Sequence, residues 1–65
     1  MMKFQPESPT WQVLSRYLQR ERTEQLERLF ETQDPREADV IRGHIQRIDD
    51  LLDLPTRLDD WAETQ

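Results

Sequence analysis

Two Pro residues, each directly after a residue with a short oxygen-bearing side chain, constrain this chain more than anything else in it. Ser8-Pro9 and Asp34-Pro35 both read as helix starts. The first residue of each pair can cap free backbone N–H groups, and Pro suits the first helical position because its missing donor is not needed there. Between them, from 9 to 32, no Gly or Pro interrupts the pattern, and Trp11, Leu14, Leu18, Leu26 and Leu29 fall on one side of a helical wheel. From 35 to 54 the apolar residues Ala38, Ile41, Ile45, Ile48 and Leu52 follow alternating spacings of three and four, a coiled-coil-like seam. The connection at Thr32–Asp34 is very short, which favours antiparallel neighbours. The expected fold is therefore all-α: an antiparallel two-helix hairpin. These ten residues form its core.

The ends are read differently. Residues 1–8 form an irregular arm, because Pro6 and Pro9 discourage a helix, and Phe4 is the large apolar side chain that could anchor it. Leu54-Pro55 closes the second helix, and residues 56–63 read as a short acidic helical turn with Leu58 and Trp61 on one side. The whole chain, 1–65, is one small domain. Glu37, three residues after Asp34, suggests a capping box at the second start.

Each helix carries more apolar surface than a two-helix hairpin can hide. Beside its core seam, helix 1 has Val13 and Tyr17, and helix 2 has Val40, His44 and Leu51. A second stripe on each helix implies a further neighbour. At 65 residues the chain lies near the lower limit for independent folding. It has no Cys, so no disulfide can staple it, and His44 is its single imidazole, which argues against a structural zinc. Association with copies of itself or with a larger protein is the remaining common remedy. The candidate interface residues are Phe4, Val13, Tyr17, Val40, His44, Leu51 and Trp61.

Three polar features on these helices have more than one reading. Arg22 and Gln25 interrupt the apolar side of helix 1. Arg22 either lays its stem along the core with its head in water, or makes a buried polar contact that sets the pairing register or meets a partner. Gly43 in mid-helix is either an ordinary surface residue or a place where another backbone comes close. His44 is either a half-buried packing residue or an interface contact.

Charge is unevenly placed. Residues 1–48 hold eight acids and eight bases, whereas 49–65 hold six acids (Asp49, Asp50, Asp53, Asp59, Asp60 and Glu63) and Arg57, so the net charge of −5 resides at the end. No basic footprint for direct nucleic-acid binding exists. Asp49-Asp50-Leu51-Leu52-Asp53 has the spacing with which prenyl-diphosphate enzymes hold magnesium on a helix. Such enzymes also need a large cavity and a second cluster, which this chain is too small to enclose. A solvated acidic face is expected instead. One Gly rules out a Gly-rich phosphate loop, and nothing resembles a nucleophile elbow. The chain is therefore expected to be no enzyme, and to take no cofactor, metal or small-molecule substrate. No targeting segment or membrane span is visible, so a soluble protein of a cytoplasmic type is expected.

Arg42-Gly43-His44-Ile45, followed by Ile48, Leu51, Leu52, Leu54 and Pro55, together with Trp11 near the start of a charged helix, resembles a family. It is that of the small helical-hairpin proteins encoded in the structural modules (portal and head–tail) of tailed bacteriophages. The likeness spans Trp11 to Pro55 and carries no set of functional residues. It implies a virion structural or assembly role, in the virion or in the host cytoplasm during assembly. The partners would be further copies or a larger virion protein such as a portal, head–tail connector or tail component. The acidic end supports a different expectation, a small phage inhibitor that offers carboxylates in place of phosphates to a host nucleic-acid enzyme or defence protein.

Overall fold

The computed structural model of the chain describes residues 7–64, so Phe4 and most of the arm lie outside the described residues. Three helices follow one another: α1 (Pro9–Glu31), α2 (Pro35–Leu52) and α3 (Leu54–Thr64). Among the described residues there is no strand. Both helix starts form as their local chemistry dictates. The Trp11 N–H donates to Ser8 Oγ at 3.1 Å, and the Arg36 N–H donates to Asp34 Oδ1 at 2.9 Å. The capping box is only half made. Glu37 does not return to the Asp34 N–H, which donates to Thr32 Oγ1 at 3.3 Å. Glu37 instead lies 4.0 Å from Arg28 Nη2 across the loop. This pair places a base in the last turn of α1 and an acid in the first turn of α2, which suits both helix dipoles.

α1 and α2 pack side by side as an antiparallel hairpin. Trp11 and Leu18 from α1 and Ile41 and Ile45 from α2 are its buried apolar residues, with Ile41 only 1% exposed. Leu26, Leu29, Ala38, Ile48 and Leu52 are half-buried along the same seam. Leu14 departs from the expected core and is 43% exposed. It lies in the second turn of α1, toward the end of the hairpin away from the loop.

A change of direction after α2 is the main departure from the sequence reading. Pro55 does not end the helical path; it kinks it. Its ring excludes a bond to the Leu51 carbonyl and crowds it, so α2 ends at Leu52, with Asp53 as cap at φ −85°, ψ 7°. The Arg57 N–H then donates to the Asp53 carbonyl at 3.1 Å and α3 continues for three turns. Residues 56–63 are thus part of an 11-residue helix that begins at Leu54, rather than a short turn. α3 meets the rest of the chain through α2 and packs on no part of α1.

All the Cα atoms fit in a slab of 48 × 26 × 9 Å. Two stacked helix layers would need roughly 13–15 Å between outermost Cα atoms, given a Cα radius near 2.3 Å and axes 8–10 Å apart. The protein is a single layer of helices.

One polar atom sits badly in that layer. Gln25 Oε1 is buried without a hydrogen-bond partner. Such an orphan costs about 1–3 kcal/mol. Replacing it should therefore help. Gln25→Leu is expected to raise the thermal midpoint of helix loss in circular dichroism, whereas Ile41→Ala is expected to cost about 2–4 kcal/mol and abolish the cooperative transition.

Candidate protein-binding face

The layer has two broad faces, and they differ in chemistry. On a wheel of about 100° per residue, Tyr17 lies about 115° from the centre of the α1 seam. Val40, His44 and Leu51 lie about 80–120° from the α2 seam in the same rotational sense. In an antiparallel pair, displacement in the same sense brings both stripes to one face of the layer. Val13 and Leu14 flank Tyr17 there. Val13 is 68%, Tyr17 59%, Val40 60% and Leu51 39% exposed. Pro9, Thr10, Val13, Leu14 and Tyr17 line an open apolar groove along the first turns of α1. The opposite face carries Gln12, Gln19, Thr23, Arg42, Gln46, Asp49 and Asp53, all exposed.

His44 is exposed, so it is no half-buried packing residue. It sits in the middle of the apolar face rather than in the core. Gly43 points elsewhere: a Cβ built there meets nothing within 4 Å, so no backbone of this chain approaches it. Trp61 does not fold back on the hairpin and is 62% exposed on α3, where Leu54, Leu58 and Trp61 share one side.

Phe30 was not among the expected contacts, yet among the described residues it is the most exposed of the large apolar side chains, at 84%. It lies on the polar face near the loop. The only sequence signal for it was negative: Phe30 matches neither the seam nor the second stripe of α1.

Arg22 is half-buried along the seam with its head group partly in solvent, as an Arg stem laid along the core requires. Its Nε donates to Asp49 Oδ1 at 2.7 Å, joining α1 to α2 across the layer. This contact also explains the acidic cluster. Asp49, Asp50 and Asp53 crowd the C-terminal turn of α2, where the helix dipole disfavours negative charge and no base of α2 offsets it. Two guanidinium groups from outside the helix do so. Arg22 takes Asp49, and Arg57 takes Asp50 at 3.0 Å and Asp53 at 3.6 Å. The three carboxylates that looked like a magnesium motif are paired with two Arg residues, one of which bridges two of them, and among the described residues no group of three or more potential ligands converges to hold a metal. Asp59, Asp60 and Glu63 in α3 form no ion pair among the described residues, and the acidic character outward of the kink is theirs.

No known family pattern, characterised protein or solved structure matches this chain. No described helix is long and apolar enough to cross a membrane. The face presents an aromatic ring, four aliphatic side chains and an imidazole from two packed helices.

The Arg57 clamp makes a separate prediction. Its pairs are more than one-third exposed, so each is worth well under 1 kcal/mol. Arg57→Ala should leave α1 and α2 intact while amide hydrogen exchange in α3 speeds up several-fold, as should high salt in the unaltered chain. Exchange in α3 that ignores both changes would contradict the clamp.

Proposed function

We propose that this chain is a non-enzymatic assembly protein that binds a larger protein through the apolar face of its helical hairpin. The observation that carries the reading is the exposure of Val13, Tyr17, Val40 and Leu51 on one face of a layer one helix thick. Monomeric proteins hide such surface; binding modules present it. The likeness of its Trp11–Pro55 region to small phage hairpin proteins gives the partner a class: a virion protein such as the portal, head–tail connector or a tail component. The chain would then be found in the virion, or in the host cytoplasm during assembly. Nothing in this role asks for a cofactor, a substrate or direct contact with nucleic acid or membrane.

The inhibitor reading draws less support. It needs a dense, free carboxylate array, and half of the six acids in the C-terminal stretch are already paired with Arg22 or Arg57.

The test is mass spectrometry of purified particles from a phage carrying this chain, with a Tyr17→Asp, Val40→Asp double variant beside it. The unaltered chain should be present in stoichiometric amount. The variant should retain its helicity and be lost from the particles. Absence of the unaltered chain from particles would overturn the structural role.

A further inference from the structure

We infer that the same face also pairs with a second copy of this chain, face to face, about a twofold axis running along the helices. This rests on the reading of that face as a protein-binding surface and names one occupant for it. The result is a four-helix arrangement of two layers, in which each α1 lies over the α2 of the other copy.

Surface area is the first reason. The chain exposes 5625 Å². A compact monomer of its 7.9 kDa mass would expose only about 4400 Å². The excess, roughly 1200 Å² over the whole chain, is of the order of the ~800 Å² that each partner contributes to a standard stable interface. A single layer carries the surplus area that one further layer of the same kind would remove.

The pattern on the face is the second reason. The antiparallel register runs outward from the Arg28–Glu37 and Arg22–Asp49 contacts. It places Tyr17 at about the height of Leu51, Glu21 at that of Arg47 and Glu24 at that of His44. A twofold axis along the helices preserves height and exchanges α1 for α2. Tyr17 then meets Leu51 of the second copy, and Glu21 and Glu24 face His44 and Arg47 of the second copy. Apolar meets apolar and acid meets base, each contact occurring twice, as a closed twofold interface requires. Glu21 and Arg47 form no ion pair within the chain among the described residues, and Glu24 holds only an exposed pair with Arg20. An axis across the helices would instead set the apolar end of the face against Arg28 and Glu37 at the loop end.

Sedimentation equilibrium and light scattering on the full chain test this directly. The unaltered protein is expected at twice the chain mass at micromolar concentration. Tyr17→Asp should yield a monomer that keeps its helicity. Phe30→Asp, on the opposite face, should leave the dimer intact. Glu21→Lys and Arg47→Glu are surface changes at matching heights; each alone should weaken dimerisation about tenfold or more, and together they should restore it. A monomeric unaltered chain would overturn the inference, as would a dimer broken by Phe30→Asp but not by Tyr17→Asp, or single charge reversals without effect. A monomeric chain that still enters phage particles removes the self-pairing alone and leaves the assembly role standing. A dimer missing from particles does the reverse.

Discussion

A layer of helices one rod thick can bury only the edges along which its rods touch. Every other feature of this protein follows from that limit. The touching edge supplies Trp11, Leu18, Ile41 and Ile45, and the surrounding Leu and Ile residues are only partly covered. Globular domains normally bury apolar surface between two layers. Here one layer stands alone with an apolar face and a polar face. The asymmetry leaves Val13, Tyr17, Val40 and Leu51 uncovered on one side of a small core.

The acidic end has a structural role that charge counting would miss. Three carboxylates on the last turn of α2 oppose the helix dipole, and they hold α1 and α3 in place by drawing in Arg22 and Arg57. The first contact sets how far α2 slides along α1, and so fixes which residues share a height on the apolar face. The second fixes the direction in which the chain leaves the kink at Pro55. Both contacts are partly exposed and individually weak.

Much of the fold was legible because its signals are local. A cap followed by Pro acts within one helical turn, and both starts fall where Ser8-Pro9 and Asp34-Pro35 place them. The core seam was legible because a 3,4 spacing has one geometric meaning. What escaped depends on distant partners. Pro55 reads as a stop, but the chain tolerates it in the first turn of α3, where its missing N–H would have no partner within that helix. Leu14 lies on the seam by periodicity and is partly uncovered toward the end of the hairpin away from the loop. Glu37 had a capping partner by spacing and chose Arg28 instead. For the face, Val13, Tyr17, Val40 and Leu51 were legible as a second stripe, whereas Phe30 follows no stripe and Trp61 depends on how α3 departs. Phe4 lies outside the described residues.

The central claim is that the isolated layer is an incomplete fold finished by another copy. Thermal unfolding followed by circular dichroism over a wide range of protein concentrations tests it most directly. Because association stabilises the folded state by mass action, the midpoint should climb steadily with concentration and helicity should fall on dilution. A sharp transition whose midpoint is the same at every concentration would show that one layer suffices, and would contradict the account.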